Sequence, residues 1–116
     1  MSQGPLSVRI RNVGNVVVLE LNGRMIMGDA ERALRGTVRD LMESGSKTLA
    51  FNLSEVKYID SSGIGCLAAA WTTANRMGAR CRLFCVPNKV MLMLKMSRLD
   101  TIFEVLPDEA SALTEV

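Results

Sequence analysis

"TLAFNLSEVKYIDSSGIG", residues 48–65, decides how this chain folds. Its opening, Thr48 to Leu53, is apolar almost throughout. A strand wetted on one face alternates, whereas a run like this suits a central strand covered by helices on both faces. Its close, Asp60 to Gly65, sets an acid and two serines ahead of two glycines and a small-residue stretch. Short polar side chains favour helix starts. A helix is therefore predicted from Ser61 to about Met77, where Gly78 breaks it. Ile59 is read as an apolar anchor closing the loop after the strand.

On the N-terminal side, "LSVRIRN" alternates apolar and polar residues as a half-buried strand does. Gly14-Asn15 makes a turn, and "VVVLELNG" returns as the second strand of a hairpin, ended by Gly23. From Gly28 or Asp29 the period becomes helical, with Ala30, Ala33, Leu34, Val38 and Leu41 inward, Asp29 as N-cap and Gly45 in the left-handed position past the end. On the C-terminal side, "RCRLFCV" is a strand stopped by Pro87, Asn88 to Ser97 a third helix, "TIFEVL" the last strand, and "PDEASALTEV" a short closing helix. The order is β-β-α-β-α-β-α-β-α. It predicts one small α/β domain over residues 1–116, with three to four helices, an opening antiparallel hairpin and otherwise parallel strands in a mixed sheet.

Composition narrows the function classes. The 116 residues are about half apolar, with 22% charged and a formal net charge of +2. No basic run and only 4% aromatics leave neither an electrostatic footprint nor a stacking platform for nucleic acid. The polar start "MSQGPLSVRI" has no apolar signal core, and no stretch approaches the ~20 apolar residues that span a bilayer. A cytoplasmic protein without membrane insertion is expected, and three cysteines fit a reducing compartment. Histidine is absent, which excludes Ser-His-Asp and Cys-His centres within the chain. Cys66, Cys81 and Cys85 lack zinc spacing and read as inert thiols. "GSKT" at 45–48 echoes a phosphate loop but leads into a strand, so it is set aside. No metal, cofactor or catalytic residue is expected.

The serines admit three readings. Ser61 or Ser62 could simply cap the helix. A hydrolase elbow would need G-x-S-x-G and a histidine, and neither is present. A phosphate on Ser61 would gain from the unpaired N–H groups and dipole of a helix start. Gly63 and Gly65 would leave room around the hydroxyl for another protein's backbone.

"IDSSGIG" between a buried strand and a small-residue helix resembles the signature of the STAS family, most narrowly its bacterial anti-sigma-factor antagonists. The opening hairpin, "FNLSEVKYIDSSGIG", "GARCRLFCV" and "VMLMLKMSRLDTIFEV" extend the resemblance over nearly the whole chain. It implies a non-enzymatic binding switch. Its partner would be an anti-sigma factor that is also a serine-protein kinase and carries the ATP. That partner phosphorylates the serine after the aspartate, here Ser61 following Asp60, and binds only the unphosphorylated form. Ser62 and Gly63 match the rest of the motif. One departure stands out: relatives often place an aspartate three residues after the glycine that ends the second strand, and here "GRMIMGD" puts Ile26 there.

The expected contact surface comprises Asp60, Ser61, Ser62, Gly63 and Ile64 with Met91 and Leu92 of the third helix. In that helix Val90, Met93, Leu94 and Ser97 would face the sheet, leaving Met91, Leu92 and Lys95 partly outward. Such an apolar patch needs a cover, either a partner, a neighbouring element or a second copy in a homodimer. A rival reading is a structural STAS subunit of a stressosome-like or lipid-transport complex, without a phosphorylation switch.

Overall fold

The computed structural model describes residues 6–26 and 28–114, with the side chains of Asp29 and Ala30 outside that description. Strand β1 (Leu6–Val13) turns at Gly14, whose φ of 60° is left-handed, into β2 (Val16–Met25). Helix α1 (Asp29–Glu43) follows, then β3 (Thr48–Ile59), α2 (Ser61–Arg76), β4 (Arg80–Phe84), α3 (Asn88–Met96), a 3-10 turn at Leu99–Thr101, β5 (Glu104–Leu106) and α4 (Glu109–Ala112). The sheet order is β1-β2-β3-β4-β5, with β1 antiparallel to β2 and every other pair parallel. This is the expected order of elements, with β3 at the centre.

The apolar run at Thr48–Leu53 is explained by two unequal layers. Leu49, Phe51 and Leu53 join Leu19, Leu21 and Leu83 beneath α1, α2 and α3, which contribute Leu34, Leu67 and Leu94 among others. Ala50 faces the other way, among Val16, Val18 and Phe84, and meets Ala112 of α4. One face thus carries three helices and the other a single turn of helix.

Several boundaries differ from the sequence reading. β2 runs through Gly23 to Met25, and β3 continues to Ile59 rather than stopping at Leu53. The pairs Glu20↔Asn52, Asn22↔Glu55, Gly23↔Val56 and Arg24↔Tyr58 show two extra residues on β3. These bulges put Leu53, Val56 and Ile59, three apart, on the buried side. No period of two survives there, so the strand is invisible to alternation. Ile59 is consequently the last residue of β3, not a loop anchor.

In α1 the N-cap is Gly28, not Asp29, and the helix turns Met42 inward while Ala33 is exposed. The expected inward place of Ala30 lies outside the described side chains. Gly45 does sit left-handed past the end: its N–H reaches the Met42 carbonyl and the Ser46 N–H reaches Leu41, a Schellman closure. Gly78 ends α2 in the same way. β4 stops two residues early because Cys85 turns left-handed at φ 52°, and β5 begins only after the 3-10 turn that Arg98 opens at φ 64°.

Two details fix the ends of the molecule. Where α2 begins, Gly63 packs so tightly on the end of β2 that a Cβ there would overlap the Met25 carbonyl and lie 2.8 Å from Ile59 Cγ1. At the other face, Arg82 on β4 is only 3% exposed. Its Nη1 donates to the carbonyls of Ala112 (2.7 Å) and Thr114 (2.6 Å), and its Nε donates to Glu104 (3.1 Å). Arg11 ties α4 from the opposite side, donating to Glu20 (2.9 Å) and Glu109 (2.7 Å). Asp108 caps α4 by accepting from the Ser111 N–H at 2.9 Å.

Gly63→Ala should therefore destabilise the fold by about 2 kcal/mol or more, since overpacking here meets backbone that cannot swing aside. Gly65→Ala, where a Cβ meets nothing within 4 Å, should stabilise by about 0.5–1 kcal/mol. Urea unfolding of the pair measures both signs. Arg82→Met should cost about 2–3 kcal/mol by stripping charged hydrogen bonds from buried carbonyls, and limited proteolysis should then cut first within Asp108–Leu113.

Candidate functional site

The site is built by the first turn of α2. Asp60 is extended (φ −121°, ψ −172°) and occupies the N-cap. Its Oδ1 accepts from the Gly63 N–H at 2.9 Å and from the Ser62 hydroxyl at 2.6 Å, while its carbonyl accepts from the Ile64 N–H at 3.0 Å. The Ser62 hydroxyl, and after it the Gly63 N–H, hold the Asp60 carboxyl below the ordinary carboxylate value. It stays an acceptor at neutral pH.

The cap is thus the aspartate, and neither serine serves as one. Ser62 is half-buried and bonded to Asp60. Ser61 is exposed at the first helical position, and its hydroxyl has no hydrogen-bond partner among the described residues. Among the described residues no base bonds to it, and the neighbouring Asp60 carboxylate is engaged by Ser62 and Gly63. The result is an accessible hydroxyl at a helix start, where the helix dipole favours an anion and the Asp60 carboxylate already takes the Gly63 N–H.

The remaining expected contact residues divide. Gly63 and Ile64 are buried, so Gly63 serves the chain's own helix-to-strand packing rather than opening room for another backbone. Gly65 is exposed with open space beyond it. In α3, Val90 and Leu94 are buried as read, but the helix is rotated from the expected setting. Met93 is only half-buried and Ser97 is exposed, so neither faces the sheet fully. Met91 is turned to the far flank, beside Cys85, Val86, Val105 and Leu106. The outward positions are Leu92, 60% exposed, and Met96, 77% exposed.

Two hollows flank α3 on the side of the site. One, about 270 Å³, is lined by Ser61, Ile64, Met93, Met96 and Ser97. The other, about 460 Å³, lies between Val56–Ile59 and Pro87–Met93. Met93 borders both, so the hydroxyl opens onto a continuous apolar surface. Met93, Met96 and Tyr58 were missed by sequence reasoning. The i, i+4 spacing of Leu92 and Met96 carried the signal for the helix, whereas the bulges hid Tyr58.

A larger hollow of about 520 Å³ lies around Gly14–Val17, Ser44–Thr48, Arg80 and Arg82, and includes none of these residues. "GSKT" lines it but leads into β3, as expected. Cys66 and Cys81 are buried, and burial pushes the Cys81 thiol up to about 12, which suits an inert side chain. No helix among the described residues is long and apolar enough to cross a membrane.

Solved structures share this fold. An anti-sigma factor antagonist from Mycobacterium paratuberculosis superposes with a TM-score of 0.83 at 21% identity, over 100% of this chain and 98% of that one. A protein of Thermotoga maritima assigned as an anti-sigma factor antagonist gives 0.82 at 24% identity, over 94% and 93%. The Bacillus cell fate determinant SpoIIAA in its phosphorylated form gives 0.70 at 19% identity, over 90% and 96%. Likeness at these identities establishes a shared fold. The sequence profile of the STAS domain matches residues 7–112, nearly the whole length, and the chain belongs to the STAS domain family.

Proposed function

We propose that this chain is a phosphorylation-switched antagonist of an anti-sigma factor, working in the cytoplasm by binding and not by catalysis. The observation that carries this reading is the division of labour at the start of α2. Asp60 takes the cap and engages Ser62, which leaves the Ser61 hydroxyl exposed and unbonded at the rim of an apolar surface. A kinase can reach such a hydroxyl without disturbing the helix. The solved phosphorylated form of the structurally similar SpoIIAA is consistent with the same use of the fold.

The switch follows from charge. Unphosphorylated, the surface of Ser61, Met93 and Met96 presents a small neutral hydroxyl beside apolar side chains. A phosphate adds about −1.5 to −2 charges at neutral pH. The dipole of α2 favours that anion, and the Asp60 cap can stay in place, so the fold is expected to stay unchanged. The partner, however, must then bury or oppose a charge. Like-charge juxtaposition at an interface costs several kcal/mol, and ~3 kcal/mol already weakens affinity more than a hundredfold. The partner is an anti-sigma factor with serine-kinase activity that brings its own ATP.

A second reading has a specific observation behind it. Ile26, half-buried next to the Met25 carbonyl that abuts Gly63, stands where relatives often have an aspartate. Leu92 and Met96 leave apolar side chains exposed, and obligate interfaces are more hydrophobic than transient ones. Both suit a permanent STAS subunit of a stressosome-like or lipid-transport complex.

Titration calorimetry against the cognate anti-sigma factor separates the two. Ser61→Asp should bind at least a hundredfold more weakly than wild type, and Ser61→Ala should keep its affinity but escape inactivation by the kinase. Ser62→Ala should still be phosphorylated at Ser61. Equal affinity for Ser61→Asp and wild type would leave the permanent subunit as the answer.

A further inference from the structure

We propose that the outward face of α3, with the hollow between α3 and the end of β3, receives an amphipathic helix of the partner whose polar flanks are acidic. The proposal rests on the preceding reading only for the partner's identity. The recognition chemistry comes from α3 itself. Lys89, Leu92, Met93 and Met96 recur three and four residues apart on the side away from buried Val90 and Leu94. Leu92 and Met96 are exposed, and Tyr58 across the hollow is 53% exposed. This is a helical stripe beside a concavity, the geometry into which another helix packs. Methionines let such a surface adjust to its occupant.

Charge names the flanks. From Pro87 to Leu99 the chain carries Lys89, Lys95 and Arg98 and no carboxylate. None of the three has an ion-pair partner among the described residues. Lys57 also lines the hollow and is paired with Glu55 at 3.1 Å. Asp60 is committed to its cap, and Asp100, just past this segment, forms no ion pair among the described residues. An acidic flank would meet three uncompensated cations, and a basic one would be repelled.

Other occupants fit less well. A second copy would set Lys89, Lys95 and Arg98 against the same cations of its own α3. An added strand would need a regular edge, and the end of β3 is bulged twice, a device that blunts edges. A lipid surface is flat, whereas Tyr58, Leu92 and Met93 line a concavity of about 460 Å³ and Met96 a second one of about 270 Å³.

The full chain, labelled with nitrogen-15, should be titrated with two blocked 18-residue synthetic peptides. Both carry leucine at i, i+3, i+4 and i+7, one with glutamate and the other with lysine on the flanks. The glutamate peptide should shift the amides of Tyr58 and Lys89–Met96 and bind at least tenfold more tightly than the lysine peptide. Met96→Lys should abolish binding without unfolding, and Lys89→Glu with Lys95→Glu should reverse the preference. Equal affinity for both peptides, shifts elsewhere, or no shift at millimolar peptide would overturn the proposal. So would self-association that Met96→Lys dissolves, or binding to phosphatidylserine vesicles in preference to the peptide. Neither peptide involves phosphorylation. A failed titration with an intact Ser61→Asp effect would therefore remove this proposal alone, and the converse would remove the switch alone.

Discussion

The approach of α2 to the Met25 carbonyl sets the geometry of the candidate site. Gly63 sits at the third position of the helix and has no side chain because none fits between Met25 and Ile59. That contact joins three elements: the backbone at the end of β2, the Ile59 side chain at the end of β3 and the first turn of α2. Once it is made, Asp60 is left at the cap and Ser61 is left outside. The side chain that looks reactive is thereby the one excluded from the packing, and the one that looks structural, Asp60, does the structural work.

How much of this could be read from residues alone depended on whether local chemistry or tertiary packing decided the outcome. The central strand at Thr48–Leu53, the stops at Gly45 and Gly78 and the start of α2 were legible, because apolar runs and left-handed glycines act locally. The far half of β3 was not, because two bulges shift its inward residues to every third position. The division between Asp60 and the serines was also hidden, since all three are good caps and only the rotation of the helix decides among them. The facing of α3 was half legible. Val90 and Leu94 were read as inward, but a nine-residue helix with four apolar residues beyond them offers several stripes, and contact with the sheet selects one.

The second face of the sheet follows a different economy. Among the described residues only α4 covers it, and one turn of helix buries little apolar surface. Arginines supply what area does not: Arg82 from β4 and Arg11 from β1 hold the short helix between them. A guanidinium in a buried strand looks misplaced in the sequence. It is accounted for by the carbonyls at the end of α4, which would otherwise lose their hydrogen bonds in a dry interface. The two faces also divide the chain's roles, with the candidate site on the three-helix side and the ionic clamp on the other.

The double bulge in β3 makes residues 53–59 a spacer whose length matters more than its content. Ser54, Glu55, Lys57 and Tyr58 all face water, and only Leu53, Val56 and Ile59 are held inside. Four of the seven positions are free to drift in composition without touching the core. Their number is not free, since each residue gained or lost would turn the chain before it reaches Asp60 and bring a different side chain to the rim. The segment acts as a ruler, free to change its outward chemistry while delivering the same serine to the same place.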